Sequence, residues 1–270
     1  MAAICDGQQH RHTTHPPAFQ QALLSHIKIY DDDRMSLENT YPASQSYFQR
    51  ARLDVPDGWF GDFARQCGRH DESLTINQRV LEMRKNSLGN DNIDTLKAMD
   101  RLAFAYTNLG EQEKAETCIR KAFDDKNAIL GAEHPETLYS LERLAMVLNR
   151  GKKFEEGKKL AEMAWKRREK LSGSDAQETL YCLSVLARAL AGQERFAEAE
   201  NLYRNLLLRQ ERILGRYNMD TFHTMYDLGK VLRAQWNLDE AEDLLRQAIE
   251  VAQKIFEPNH PDLANLFVQL

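Results

Sequence analysis

The sequence predicts an all-α solenoid, a row of antiparallel helix pairs that cover one another's apolar faces. Three observations carry that prediction. The strings "LGNDNIDTL" (88–96), "LGAEHPETL" (130–138), "SGSDAQETL" (172–180) and "LGRYNMDTF" (214–222) return at a step of 42 residues, which places Gly89, Gly131, Gly173 and Gly215 in one column. Thr95, Thr137, Thr179 and Thr221 form a second column, and a fixed period of this size marks a repeat architecture. Composition agrees: only 13 Gly and 7 Pro occur in 270 residues, and the dominant Ala, Leu, Glu, Lys, Arg and Gln favour helix. Finally, small residues recur in three columns, as helices packed at about 8 to 10 Å require. The columns are Ala103, Ala145, Ala187 and Gly229; Ala115, Gly157, Ala199 and Ala241; and Ala122, Ala164, Leu206 and Ala248, with Leu206 the departure.

Residues 1–55 contain no copy of the period and read as a non-repeat segment. The polar "GQQHRHTTHPP" (7–17) predicts a disordered lead, in which His10, His12 and His15 are solvated rather than metal-bound. "AFQQALLSHIKIY" (18–30) and "YPASQSYFQRARL" (41–53) carry helical spacing. The solenoid is predicted over 56–270. Its first repeat, 56–89, is degenerate, with a weak first helix in "PDGWFGDFARQC" and a clear second one in 68–89.

Four well-marked units follow, 90–131, 132–173, 174–215 and 216–257, and 258–270 starts a terminal helix. In the first of them Leu96, Met99, Leu102, Ala103 and Tyr106 recur at steps of three and four, which predicts an amphipathic helix A ending before Gly110. Ala115, Cys118, Ile119, Ala122, Phe123, Ile129 and Leu130 repeat that schedule in helix B. Such a hairpin cannot cover its own apolar face and must stack on a copy.

The order Leu-Ala-x-x-Tyr/Leu, then Phe/Tyr-x-x-Ala, then Ala resembles the tetratricopeptide repeat, whose fold is a right-handed α-solenoid. The 42-residue length, the joint Leu130, Gly131, His134, Pro135, Thr137, Leu138 and the stretch "RFAEAENLYRNLLLRQERILG" (195–215) resemble the kinesin-light-chain subtype. The resemblance covers about residues 67–270. It implies a protein-interaction scaffold that takes a peptide or partner segment in a concave groove lined by the A helices; the scattered cysteines and the lack of catalytic motifs described below add the expectation of a cytoplasmic, non-catalytic protein with no cofactor. One departure stands out: where that subtype carries an asparagine before Leu-Ala, this chain has Arg101, Arg143, Val185 and Asp227.

In the family's register the groove columns are Lys97, Tyr139, Tyr181 and His223; Asp100, Glu142, Ser184 and Tyr226; Arg101, Arg143, Val185 and Asp227; Phe104, Met146, Arg188 and Lys230; and Thr107, Asn149, Ala191 and Arg233. From these, Lys97, Arg101, Tyr139, Arg143, Asn149, Tyr181, Arg188, His223, Tyr226, Lys230 and Arg233 are the candidate peptide-binding residues. Their mix of cations and rings suits a segment with acidic and aromatic side chains.

A formal charge of −5 argues against a general nucleic-acid binder, and no apolar run approaches the roughly 18 to 20 residues that span a bilayer. Cys5, Cys67, Cys118 and Cys182 are scattered without a C-x-x-C, as expected of reduced thiols. "GKKFEEGKK" (151–159) fails as a phosphate loop on spacing and on the missing Ser or Thr. No metal-binding or nucleophile motif is present, so no catalytic or metal residue is assigned. Two alternatives stay open: the repeat region of a larger nucleotide-binding receptor or regulatory protein, and an enzyme or small-molecule binder in which 1–55 closes over the groove and brings His26 or Tyr30 near Arg143.

Overall fold

The computed structural model describes residues 70–255; the expectations for the segment 1–55, the degenerate helix at 56–67 and the terminal helix at 258–270 lie outside them. The described residues form an α-solenoid without strands. Its B helices are α1 (His70–Leu88), α3 (Gln112–Leu130), α5 (Phe154–Ser172), α7 (Phe196–Ile213) and α9 (Leu238–Ile255). The A helices are α2 (Ile93–Asn108), α4 (Pro135–Arg150), α6 (Gln177–Gly192) and α8 (Met219–Ala234). Successive A helices, and successive B helices, start 42 residues apart. The sequence period is therefore the structural one.

The recurring Gly and Thr have a shared cause at the B-to-A joint. Gly89, Gly131, Gly173 and Gly215 adopt φ between 83° and 90°, a region that costs any residue with a Cβ. Six residues on, the hydroxyls of Thr95, Thr179 and Thr221 donate to the carbonyls of Gly89, Gly173 and Gly215 at 2.8, 2.8 and 2.9 Å. Thr137 donates instead to the Lys126 carbonyl at 3.3 Å. All four threonines are fully buried, so each joint is closed inside the stack rather than by water. Helix starts are capped locally: Asn92 and Asn218 accept from the amides of Asp94 and Asp220, and His134 Nδ1 accepts from Glu136 N at 3.1 Å with Pro135 at the first turn.

The small-residue columns are the contact surfaces. Ala103, Ala115, Ala122, Ala145, Ala164, Ala187 and Ala199 are all buried. A Cβ at Gly157 would lie 2.2 Å from Asn149 Oδ1, and one at Gly229 would lie 2.7 Å from Leu245 Cδ2. Between them Leu144, Leu148, Leu190, Leu228 and Leu232 fill the interior. Each helix packs on its sequence neighbours, and α2, α4, α6 and α8 also touch one another in turn. Among the described residues, no comparable row joins the B helices. Elements on the inside of a bend lie closer than those outside it, so the A helices line the concave side of the stack.

Candidate peptide-binding wall

Two clusters on the A helices are each built from residues of consecutive A helices. In the first, the Arg143 guanidinium of α4 sits among three rings: Phe104 of α2 at 5.3 Å, Tyr139 of its own helix at 4.9 Å and Tyr181 of α6 at 5.2 Å. Its NH1 approaches the Tyr181 hydroxyl at 3.4 Å, and that hydroxyl in turn reaches Met146 Sδ at 3.3 Å. The Nε of Arg143 is buried without a hydrogen-bond partner, and Arg143 forms no ion pair with a carboxylate among the described residues. Ring faces attract the cation but accept none of its fork of donors. Burial pushes the Tyr139 hydroxyl pKa upward, which keeps that ring neutral.

In the second cluster Asp227 of α8 binds Arg188 of α6 at 2.8 Å and Lys230 of its own helix at 2.6 Å. Lys230 also lies 4.6 Å over the Tyr226 ring, and Tyr226 stacks with Phe222 at 6.4 Å. Burial alone would raise the Asp227 carboxyl; the two cations, Arg188 foremost, hold it well below the usual carboxylate range. The two cations are thus half-neutralised from within.

The remaining expected residues are placed as follows. Lys97 lies between Asp94 at 3.7 Å and Glu136 at 3.5 Å, so its charge is shared with two acids. Arg101 is half-buried, and His223 and Arg233 are exposed on α8. Asn149 is buried and belongs to the packing: its Nδ2 donates to the Val185 carbonyl at 2.9 Å, tying α4 to α6.

Asp100 and Glu142, expected to face the groove, are buried instead. Each belongs to a polar rung that sequence reasoning missed. Lys126 of α3 pairs with Asp100 of α2, which also accepts from Ser140 of α4 at 2.7 Å. One unit on, Arg168 of α5 pairs with Glu142 of α4, beside which the Cys182 thiol of α6 is buried. Lys126 is fully buried and Asp100 is 3% exposed. The reason is steric: an A helix is packed by its own B helix, the preceding B helix and the next A helix, so only a narrow stripe of it stays open. The signal existed in the sequence, because Asp100 and Glu142, Lys126 and Arg168, and Ser140 and Cys182 are each one period apart. Burial, with Glu142 beside it, pushes the Cys182 thiol far upward, and burial takes Cys118 up to about 11; neither is an activated nucleophile.

Comparison with known proteins places these features in context. The family model for the tetratricopeptide repeat matches residues 50–128, 136–207, 186–254 and 220–270. No curated protein matches the chain in sequence. Among solved structures, the nearly identical repeats of a putative kinesin light chain from Podosopora anserina align over 76% of this chain and 96% of theirs, at 22% identity and a TM-score of 0.59. BtubC (BKLC) from P. vanneervenii aligns over 74% and 81%, at 18% identity and a TM-score of 0.58. NprR in complex with its cognate peptide NprX aligns over 93% and 73%, at 15% identity and a TM-score of 0.60; the apo form is described as a quorum sensor from B. thuringiensis. At these identities the likeness is one of fold.

Proposed function

Since the chain belongs to the tetratricopeptide-repeat family, we propose that it is a non-catalytic protein-interaction scaffold that holds an extended partner segment along the concave wall of its A helices. The observation that carries the reading is Arg143: a guanidinium held by Phe104, Tyr139 and Tyr181, with no ion-paired carboxylate among the described residues. A cation fixed by rings, with unused donors, is pre-organised for an incoming acid. The segment therefore carries an acidic side chain seated at Arg143 and an aromatic or aliphatic one beside Phe104 and Tyr139. NprR, whose fold this chain resembles, is seen in complex with a cognate peptide, which supports a peptide as the partner. No helix among the described residues is long and apolar enough to cross a membrane, and Cys118 and Cys182 are free thiols; both fit a partner met in a reducing, cytoplasmic setting.

The test compares affinity capture by the wild type with capture by the double variant Arg143→Glu, Tyr181→Ala. The reading expects the proteins recovered by the wild type to be lost from the variant at equal helicity. Recovery of the same set by both would remove the concave wall from consideration.

A further inference from the structure

The second cluster bears on what the wall accepts, and it rests on the concave-wall reading above. Asp227 stands in the column that holds Arg101 and Arg143 in the first two units and Val185 in the third. Its residue is 7% exposed, whereas Arg188 and Lys230 leave 37% and 41% of their side chains open to solvent. The carboxylate thus lies beneath the two cations and joins α6 to α8, the position and chemistry that an acidic side chain of a bound segment would take. With Asp227 in place the three charges sum to one positive; without it they would sum to two. An acid arriving at Arg188 and Lys230 would also have to settle within a few ångströms of Asp227, where like charges repel.

We infer that Asp227 is a built-in anion that fills the second half of the wall, so that the scaffold takes segments with a single acidic group at Arg143 and gains nothing from a second acid further along. The step from the Arg143 cluster to the Arg188 cluster is one stacked unit, about 10 Å. At about 3.3 Å per extended residue, the excluded acid lies about three residues from the accepted one. The residue that limits specificity is thereby one that need not touch the ligand.

Two fluorescein-labelled serine peptides test this by anisotropy at low salt, one with a single Glu and one with two Glu separated by three positions. The wild type is expected to bind the two within about twofold, and Asp227→Asn to bind the two-acid peptide at least about fivefold tighter than the one-acid peptide, a change in keeping with one added charge-assisted contact. Asp227→Val installs the residue that the preceding unit carries in the same column and guards against a folding defect of the amide; circular dichroism monitors helicity. If both variants still bind the two peptides within about twofold, Asp227 is a structural tie between α6 and α8 and the inference is overturned. Arg143→Leu separates the two ideas. Should it leave binding of the one-acid peptide intact, the seat at Arg143 is wrong, while a gain on Asp227→Asn still upholds Asp227 as the internal anion. A wild type that binds neither peptide has the same meaning, and the gain of the two-acid peptide by Asp227→Asn over the wild type then decides.

Discussion

The two halves of the stack handle buried charge in different ways. Between α2 and α6 the polar groups sit deep, as the rungs Lys126–Asp100–Ser140 and Arg168–Glu142–Cys182. Going on toward α8, the same columns fade to Ser184 and Gln210, then to Tyr226 and Ala252, and the ions shift to the buried Asp227 with the partly exposed Arg188 and Lys230 over it. One hairpin design therefore tolerates a charged, a neutral or an apolar filling at one position. What the filling changes is where cations remain for a partner: the first half buries its pairs and leaves Arg143 without an acid, while the second half quenches its own cations at the surface.

The largest expected effect comes from breaking a rung. Asp100→Ala leaves Lys126, which is fully buried, without its counter-ion, and is expected to cost about 3 to 5 kcal/mol in urea unfolding. Replacing both partners, Asp100→Leu with Lys126→Met, imitates the apolar filling of the fourth unit and is expected to recover all but about 1 to 2 kcal/mol. A single variant as mild as the double would mean that the pair is not buried in solution and that the two halves do not differ in this respect.

These rungs also mark the limit of what the sequence made legible. The 42-residue step made the all-helical repeat and the small-residue columns legible, because each is set by backbone geometry and local spacing; the positive φ of the recurring glycines came from the structure. Arg143, Tyr139 and Tyr181, expected on the groove from register, are brought together because their columns adjoin across consecutive A helices. Asp100, Glu142 and Asn149 fall on the groove in the family's register, and a charged or amide side chain is ordinarily solvated there. Their burial depends on partners 26 to 40 residues away, and a single helix gives no sign of those partners. Comparing columns of opposite charge across units, rather than residues along one helix, is what exposes them.

A smaller effect contrasts the halves by pH. The Asp227 carboxyl is held below its ordinary value of 3.8, so its contribution is present in full above that value and is lost as pH falls through the folded-state value. For Asp100, burial outweighs Lys126 and raises the carboxyl, so protonation of this group in acid favours the folded state rather than opposing it. Acidification below pH 3.8, toward the folded-state value, should therefore weaken the Asp227 tie between α6 and α8, an effect that the Asp100 rung does not share. Hydrogen exchange of α6 and α8 measured at pH 6 and at about pH 2.5 checks the loss. Asp227→Asn, expected to lose about 1 to 2 kcal/mol at neutral pH after allowing for its solvent-facing partners, should approach the wild type in acid. A deficit that is constant with pH would show that the Asp227 charge does not contribute.

The smallest effect lies in the A-to-B turns, where the first pair and the later ones solve one backbone problem with different residues. The turn needs a left-handed residue in every unit: Gly110 supplies it at φ 76°, whereas Lys152, Glu194 and Trp236 adopt φ of 59°, 61° and 63°. A residue with a Cβ is disfavoured there by roughly 1 to 2 kcal/mol, part of which glycine returns through its freer unfolded chain. Glu194 is exposed, so Glu194→Gly removes strain without disturbing packing. It is expected to raise stability by about 0.5 to 1 kcal/mol, or about 1 to 4 °C in Tm. The same change at Gly110, made in reverse as Gly110→Lys, is expected to lower stability by a similar amount. If the two substitutions move Tm in the same direction, the turns of the first and later pairs are not equivalent, and the backbone repeat is less regular than the helix boundaries imply.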